Sequence, residues 1–280
     1  MKMNSRFILK KKVVFEQLNK LRPFCDEVSY SLKTNIDVGG VLECSDCSFS
    51  IHSMEGTEFV QDKKKIWFFA QAWSKDNIAV LIRKGLRRFV VDNERDLSTL
   101  LEYLETDSVA IDLLLRMRLK EHTVRTGKHF VFGMFSHQIN RLVPVLSNNP
   151  RIVSLGVHVH RKTQNLSEWS LKEEISDLLL SKTLENIDIV NIGGGLPSIY
   201  KNFSTDVYDS IFKKIKHFRS WLQEKSIRMI IEPGRFIAAP SIVLKTKVLS
   251  VYNNTIVVDA SVFNSAMDTF IANIKLLVEG

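Results

Sequence analysis

Short apolar runs alternate with longer segments of helical periodicity along most of the chain. The runs are rich in β-branched and aromatic residues and predict eight strands, which are Val28–Lys33, Ser48–His52, Ile66–Ala70, Arg88–Asp92, Val109–Met117, Ile152–His160, Ile187–Ile192 and Arg228–Glu232. Segments between them space apolar residues three and four apart and predict helices at Lys75–Gly85, Glu94–Leu104, His137–Leu146, Ser167–Ser181 and Thr205–Gln223. This alternation indicates a parallel sheet with helical connections.

The number of strand–helix units favours a closed barrel. Eight units between residues 28 and 232 match the count of a (β/α)8 barrel, also called a TIM barrel. An open, doubly wound parallel sheet is the alternative that this pattern leaves open. The link after Lys33 has the weakest helical pattern of the series.

Both ends of the chain carry strand patterns outside the barrel. Arg6–Leu9 predicts a strand, and Lys11–Leu21 predicts a helix that leads into the first barrel strand. Near the other end, Ile242–Tyr252 and Thr255–Asp259 predict two strands around a turn at Asn253–Asn254. We expect three parts: residues 1–27, a strand and a helix that belong partly to a β domain; residues 28–240, the barrel; and residues 241–280, the truncated start of that β-rich second domain.

Composition narrows the functional classes. Hydrophobic residues make up 45% and charged residues 25% of the sequence, and no apolar run approaches the roughly 20 residues of a membrane helix. The basic N-terminus is not followed by an apolar stretch of signal-peptide length. The net charge of +8 comes from basic residues scattered among acids, without a basic face interleaved with aromatic residues. We therefore expect a cytoplasmic protein that binds neither nucleic acid nor membrane.

The cysteines leave two uses open. Cys44 and Cys47 form a C-x-x-C pair, a spacing found in redox pairs and in half-sites for zinc. A structural zinc site needs two further ligands at similar spacing, and the only other cysteine is Cys25. Two ordinary thiols are the favoured interpretation.

Polar residues follow the predicted strands at their carboxyl ends, where barrel enzymes place catalytic side chains. These residues are Lys33, His52, His158, His160, the run Gly193, Gly194 and Gly195, Glu232 and Arg235. The glycines and Arg235 follow the last two strands, where barrels often bind phosphate. Glycine backbone amides approach an anion closely, and an arginine adds charge-assisted hydrogen bonds. A tight turn also needs glycine, so the run alone does not decide between the two uses.

Lys33 and Glu232 fall on strands that are neighbours in a closed barrel. A lysine desolvated in a barrel mouth has a lowered pKa and forms imines readily, although a lysine at a strand end can also extend to solvent. An imine-forming lysine, a carboxylate and a phosphate site together suggest pyridoxal 5'-phosphate. Glu232 would pair with the pyridine nitrogen and keep it protonated, which favours decarboxylation.

His158 and His160 lie two residues apart on one predicted strand and so face the same way. Metal-dependent barrel hydrolases use such a pair, but they resemble one another in carrying it on the first barrel strand, with further ligands later. Here the pair is on the sixth strand, and His217 falls in a predicted surface helix. We therefore predict no metal, and the preferred use is one flat ring stacked on a flat cofactor.

Taken together and in order, the motifs resemble those of the fold III pyridoxal-phosphate decarboxylases. This group has an alanine racemase-like barrel and includes ornithine, diaminopimelate and arginine decarboxylases. YSLKTN is similar to its Y-x-x-K-x-N, LRM to L-R-[IV], LGVHVHRKTQ to G-x-H-x-H-V-G-S-Q, NIGGGLP to D-I-G-G-G-x-P, EPGRFIA to E-P-G-R-x-x-V/A, and VVDAS to V-D-A-G. The resemblance covers nearly the whole chain.

The resemblance implies a role for each matching residue. Lys33 would form the internal aldimine, His160 would stack on the cofactor ring and Glu232 would bind the pyridine nitrogen, and these are the expected catalytic residues. Thr163 stands in for the family's phosphate-binding serine. The expected cofactor-binding residues are Lys33, Arg116, His160, Thr163, Gly193, Gly194, Gly195, Glu232 and Arg235.

The chain departs from the family pattern at three places. RKT follows His160 where the family has V-G-S, which adds two cations to that loop. Ser50 stands where the family tends to carry an acidic residue. The family's C-terminal domain supplies a C-x-x-[DE] motif, whose cysteine donates a proton, and a tyrosine across a head-to-tail dimer. The sequence reaches Gly280 without a counterpart, so we expect a fragment or a shortened relative.

Four functions follow from these interpretations. The favoured one is decarboxylation of a small amino acid, basic or diaminopimelate-like, by a homodimer that uses pyridoxal phosphate. A racemase on the same fold is disfavoured, because family racemases place an arginine against the pyridine nitrogen. A regulatory paralogue that binds the cofactor without turnover and a metal hydrolase are the remaining alternatives.

Overall fold

The computed structural model describes residues 5–119, 132–162, 164–203, 206–271 and 273–279. Its strands are β1 (Arg6–Leu9), β2 (Glu27–Ser31), β3 (Ser48–Ile51), β4 (Ile66–Ala70), β5 (Arg88–Val91), β6 (Ile111–Arg116), β7 (Ile152–His158), β8 (Ile189–Asn191), β9 (Arg228–Ile231), β10 (Ile242–Lys245), β11 (Val248–Tyr252) and β12 (Thr255–Val258). Its helices are α1 (Lys11–Leu21), α2 (Ile36–Leu42), α3 (Lys75–Arg83), α4 (Glu94–Thr106), α5 (Ser136–Leu146), α6 (Leu171–Leu178), α7 (Ser181–Leu184), α8 (Val207–Gln223), α9 (Arg235–Ser241), α10 (Val262–Ser265) and α11 (Asp268–Ile271).

Strands β2 to β9 form a closed parallel barrel in chain order. The last strand returns to the first, with Glu27 in register with Ile230 and Val28 with Ile231. Helices connect most of the strands. The prediction of a (β/α)8 barrel is confirmed, and the closed ring excludes the open-sheet alternative.

The barrel strands are buried on both faces, which explains their nearly continuous apolar runs. Strand residues that face out of the barrel, such as Phe68, Leu113 and Val157, belong to the large hydrophobic core that also includes residues of the helices. Strand residues that face into the barrel form a separate cluster, made of Trp67, Phe69, Val90, Leu114, Ile189 and Ile230. This inner cluster fills the middle of the barrel and leaves its two ends to polar side chains.

A charged network closes the amino-terminal end of the barrel. The Glu27 carboxylate accepts hydrogen bonds from Trp67 Nε1 and Arg88 Nη1, each at 3.0 Å. Arg88 also lies 3.5 Å from the carboxylate of Asp112. In a (β/α)8 barrel the amino-terminal end usually contributes to stability, and the carboxyl-terminal end carries the catalytic residues.

Seven of the eight barrel strands end one or two residues earlier than predicted, and three of these ends lie at expected catalytic residues. β2 ends at Ser31, and Lys33 lies in the 3-10 turn Leu32–Thr34 that follows. β7 ends at His158 and β9 at Ile231, so His160 and Glu232 lie just beyond the strands. These three side chains therefore belong to the loops at the carboxyl end of the barrel, beyond the hydrogen-bonded strands.

The predicted helix Ser167–Ser181 is wrong as a single element, because the chain is extended at Leu179 and Leu180 and divides it into α6 and α7. The Asn140 side chain from α5 stabilises the break. Its Nδ2 donates to the carbonyl of Leu178 at 2.9 Å, and its Oδ1 accepts from the backbone N–H of Leu180 at 3.0 Å. None of the helices in the described ranges combines the length with the hydropathy that a membrane crossing needs.

The flanking strands form two small sheets. β1 pairs antiparallel with β10, and β11 pairs antiparallel with β12 around Asn253, which has φ +50°. The predicted strand Ile242–Tyr252 is therefore two strands with different partners. Asp259 stabilises the break, because its Oδ1 accepts hydrogen bonds from Thr246 Oγ1 at 2.6 Å and from the backbone N–H of Lys247 at 2.8 Å.

Candidate functional site

The Glu232 carboxylate lies at the carboxyl end of the barrel and is contacted by three side chains from other strands. Ser50 Oγ and Asn191 Nδ2 donate hydrogen bonds to Oε1 at 2.9 and 2.8 Å. His158 Nε2 lies 3.3 Å from Oε2. The residue is only 4% exposed. Residues from β3, β7 and β8 thus fix one carboxylate that follows β9.

Glu232 is ionised in this environment. Burial acts to raise the pKa of its carboxyl, but the contacts with His158, His160 and Asn191 outweigh burial and lower that pKa to about 2. Burial lowers the pKa of both histidine rings, that of His160 to about 3. A fixed anion therefore lies among neutral imidazoles at neutral pH.

The two histidines stack at the barrel mouth. Their ring centroids are 6.3 Å apart, with 18° between the ring planes. His158 is 1% exposed, and its Nδ1 is a buried atom without a hydrogen-bond partner among the described residues. His160 is partly exposed, and its Nδ1 accepts the backbone N–H of Gly194 at 3.3 Å. Of the pair, His160 is the less buried residue, so we expect it to be the one that contacts a ligand in the mouth.

Lys33 faces the same mouth. Its side chain is exposed there, yet enough protein surrounds the amine that burial lowers its pKa. The Glu232 carboxylate acts against that shift, and the Arg116 guanidinium adds to it. His52, beyond β3, shares this environment, because burial and the charge of Lys33 lower its pKa to about 4. Lys33, His52 and Glu232, which follow the neighbouring strands β2, β3 and β9, therefore influence one another electrostatically, and Arg116 at the end of β6 acts on them as well.

Arg116 is the last residue of β6 and is in register with His158. Its guanidinium lies over the Phe132 ring, 5.6 Å from the centroid. Burial lowers the pKa of Arg116, while the negative charge of Glu232 raises it. The structure thus brings Arg116 to the same end of the barrel as Lys33 and Glu232.

The glycine run packs tightly against the loops on either side. Gly193 and Gly195 have φ +67° and +103°, a region that favours glycine. A Cβ at Gly193 would meet the carbonyl oxygen of Val159, and one at Gly194 would lie 2.9 Å from that of Glu232. These backbone contacts require the glycines with or without a ligand. They also form a cradle of bare backbone beside Glu232.

Arg235 makes an ion pair that the sequence did not predict. Its Nη1 lies 2.6 Å from Asp268 Oδ2 and donates to Tyr200 Oη at 3.2 Å. Tyr200 and Asp268 carry no local sequence signal, because their chain segments reach Arg235 only in the folded structure. The predicted phosphate ligand Thr163 lies outside the described residues.

Arg161 is structural in this chain. It is 1% exposed and lies 2.6 Å from Glu174 on α6 and 3.6 Å from Glu168. Arg161 is one of the two cations that RKT adds after His160, and its charge is paired inside the protein. In the sequence, the departure from the family pattern after His160 is the feature that marks Arg161 as unusual.

Asn191 is a site residue that the sequence analysis missed. It lies two residues before Gly193, so the alternation of side chains along the strand could have placed it on the same side as the site.

The C-x-x-C pair is remote from this site. Cys47 is buried immediately before β3, at the amino-terminal end of the barrel, whereas Cys44 is exposed. Burial raises the pKa of the Cys47 thiol to about 12. The different environments of the two thiols do not favour a redox pair.

The residues at the mouth fit pyridoxal phosphate by the chemistry of their donors. They provide an amine with a lowered pKa, an ionised carboxylate, a partly exposed imidazole ring and the glycine cradle. His158, His160 and Glu232 also each offer a ligand atom within 4.8 Å of the others, a set that could bind a metal. Hydrogen bonds within the protein account for that arrangement, and the absence of a metal stays a prediction.

The pyridoxal binding domain of the pyridoxal-dependent decarboxylases is the family model that matches the chain, over residues 14–239. No curated protein matches the sequence.

Solved structures with a similar fold extend the comparison. Diaminopimelate decarboxylase from Helicobacter pylori, complexed with L-lysine, has a TM-score of 0.80 and 18% identity, over 98% of this chain and 74% of that one. Lysine/ornithine decarboxylase from Vibrio vulnificus, complexed with putrescine, has a TM-score of 0.73 and 20% identity, over 98% and 76%. The arginine decarboxylase of Paramecium bursaria Chlorella virus has a TM-score of 0.73 and 18% identity, over 96% and 75%. At these identities the likeness shows the fold.

Proposed function

The chain belongs to the pyridoxal-dependent decarboxylase family, and on that basis we propose that it releases the α-carboxylate of an amino acid as carbon dioxide. The observation that carries the proposal is the buried, ionised Glu232 at the barrel mouth that Lys33 also faces. When bound, pyridoxal 5'-phosphate supplies an electron sink for the bond that breaks at the α-carbon.

Glu232 would hold a proton on the ring nitrogen of the cofactor. A fixed, ionised carboxylate stabilises a cation beside it, and a protonated ring is the stronger electron sink. Ser50 and Asn191 contact Oε1, and His158 contacts Oε2, so lone pairs remain on the carboxylate for this interaction. Glu232 would therefore be a catalytic residue rather than a structural acid.

Lys33 would hold the cofactor covalently in the resting protein. Burial lowers the pKa of its amine, and a neutral amine is the form that attacks a carbonyl. Arg116 favours the same neutral form through its positive charge. The partly exposed His160 ring would stack on the cofactor and orient it.

The loops after β8 and β9 would bind the phosphate. Gly193, Gly194 and Gly195 would let the phosphate approach the backbone closely, and Arg235 would provide the positive charge. The N–H groups of Gly193 and Gly194 donate to Asn191 Oδ1 at 2.8 Å and to His160 Nδ1 at 3.3 Å, so the lack of side chains supports the proposal at these two residues. Thr163 joins this set on the family resemblance alone.

The proposed substrate is a small amino acid, basic or diaminopimelate-like. Similar structures are of diaminopimelate, lysine/ornithine and arginine decarboxylases, which supports that class. We also propose that the protein acts as a cytoplasmic homodimer without nucleic-acid or membrane partners.

Glu232→Gln tests the decarboxylase proposal. The amide is similar in shape but has no negative charge, so we expect carbon dioxide release to fall by about 100-fold or more while pyridoxal phosphate still binds. Release is measured from lysine, ornithine, arginine and diaminopimelate. Glu102→Gln is the control, because Glu102 pairs with Lys75 at 2.9 Å on the exposed surface of α4.

Three outcomes would contradict the proposal. Equal carbon dioxide release by E232Q and the wild-type chain would remove Glu232 from the catalytic set. Exchange of the α-hydrogen without carbon dioxide release would favour the racemase. Cofactor binding without turnover of any substrate would favour the regulatory paralogue.

A further inference from the structure

The Arg235 guanidinium is held by a carboxylate from the C-terminal segment. Asp268 Oδ2 lies 2.6 Å from Arg235 Nη1, and the Tyr200 hydroxyl oxygen accepts from the same nitrogen at 3.2 Å. The Arg235 side chain is 18% exposed and that of Asp268 is 47% exposed. The pair is thus half-buried on the arginine side and open to solvent on the acid side.

The segment that carries Asp268 is anchored to the loop after β8. The backbone N–H of Lys201 donates to the carbonyl of Lys275 at 2.9 Å. The Asn202 side chain donates to the carbonyl of Asn273 and accepts the N–H of Lys275, each at 2.8 Å. Ile274, between these bonds, is 5% exposed. The ion pair is therefore part of a packed contact between the C-terminal segment and the barrel.

This contact adjoins the proposed phosphate site. The two loops are in contact at two points: the backbone N–H of Glu232 donates to the carbonyl of Gly193 at 2.8 Å, and Arg235 Nη1 donates to Tyr200 Oη at 3.2 Å. A phosphate monoester carries a charge of about −1.5 to −2 at neutral pH. That anion and the Asp268 carboxylate repel each other when both approach one guanidinium.

We propose that Asp268 competes with the cofactor phosphate for Arg235, so that phosphate binding and docking of the C-terminal segment oppose each other. The inference rests on the proposed function for the identity of the phosphate, and on the observed ion pair for the competition. By linkage, each of the two events weakens the other by the same factor.

Asp268→Asn tests the competition. We expect D268N to bind pyridoxal phosphate about fivefold more tightly than the wild-type chain, a shift of the size that one partly exposed ion pair supports. Affinity for pyridoxal, which lacks the phosphate, should not change. Asp46→Asn is the matched control, because Asp46 forms an exposed ion pair with Arg22 at 2.5 Å next to β3's amino-terminal end.

The probes separate this inference from the proposed function. Equal affinity of D268N and D46N for pyridoxal phosphate would overturn the competition, and so would a tighter affinity of D268N for pyridoxal as well. Weaker binding by D268N would show that Asp268 orients Arg235 toward the phosphate instead. If neither the wild-type chain nor any variant binds pyridoxal phosphate, the proposed function fails. The affinities of D268N and D46N for inorganic phosphate then test the competition, which predicts tighter binding by D268N.

Hydrogen exchange tests the opposite direction of the linkage. Pyridoxal phosphate should accelerate exchange of the Lys201 and Lys275 amides in the full chain, because it releases the segment that these bonds hold. Slower exchange at both amides on cofactor binding would contradict the proposal.

Discussion

The Glu232 carboxylate is ionised although it is buried, and burial alone would raise its pKa and favour the protonated form. Ser50, Asn191 and His158 come from three strands to contact one carboxylate. An apolar side chain in the same place would avoid the desolvation of a charge, and buried charges are weak contributors to stability. A fixed anion here is therefore better explained by function than by folding.

His160→Phe tests how the site titrates. The pKa of His160 is about 3 in the folded chain and about 6.5 in an unfolded chain, because burial disfavours the charged ring. The unfolded chain therefore binds the proton first, and stability is lost as the pH falls from about 6.5 toward 3. We expect the free energy of unfolding in urea to fall less for H160F than for the wild-type chain between about pH 7 and pH 4.

His217→Phe is the control for this substitution. His217 is exposed on α8 and contacts Lys172 at 3.2 Å, remote from the barrel mouth. H217F removes an imidazole outside the barrel mouth, so a change seen in H160F and absent from H217F is specific to the site. An unchanged pH dependence in H160F would show that His160 is not kept neutral by the fold.

At the scale of elements, the loop after β8 has a strict backbone requirement. Gly193→Ala places a Cβ against the carbonyl of Val159 at a φ of +67°. We expect a loss of about 2 kcal/mol or more in stability, with at least tenfold weaker cofactor binding. Thermal unfolding and cofactor titration measure these effects.

Gly40→Ala is the matched glycine substitution. Gly40 lies within α2, and a Cβ there would have no atom within 4 Å. Alanine is the better helix former, so we expect G40A to be stabilised by up to about 1 kcal/mol. If G193A were as stable as G40A, the inference that the backbone packs too closely at Gly193 to accept a side chain would be wrong.

Periodicity predicted the elements well and their ends less well. Ile66–Ala70 is observed as predicted, because five buried residues between turns determine a central strand. The break between α6 and α7 depends on Asn140, which lies about 40 residues earlier in the chain and meets the break only after folding. Lys33 and Glu232 could be placed together because the first and last strands of a barrel are neighbours. The Asp268–Arg235 pair could not, because no local pattern determines the path of the C-terminal segment.

At the scale of the whole molecule, the C-terminal strands and helices leave apolar side chains uncovered. Val251 is 66%, Ile256 62% and Phe270 62% exposed. β11 and β12 form a sheet of two strands, which has two open edges. Exposed apolar surface next to open edges favours association.

The purified 280-residue chain should therefore self-associate. We expect the double variant Val251→Lys and Ile256→Lys to reduce the mass measured by light scattering at micromolar concentration, because charges on the strands oppose edge pairing. Val145→Lys with Val153→Lys is the control, since these valines are 71% and 69% exposed elsewhere. A monomeric wild-type chain, or equal mass in both double variants, would contradict this expectation.

The most direct test of the whole account is covalent attachment of pyridoxal phosphate to the purified chain. A visible absorbance band should appear with the cofactor, borohydride should remove the band, and mass spectrometry should place the reduced adduct on Lys33. Lys33→Ala should lose both the band and the adduct. No band in the wild-type chain, or an adduct on another lysine while Lys33 stays unmodified, would contradict the assignment of this barrel mouth as a pyridoxal-phosphate site.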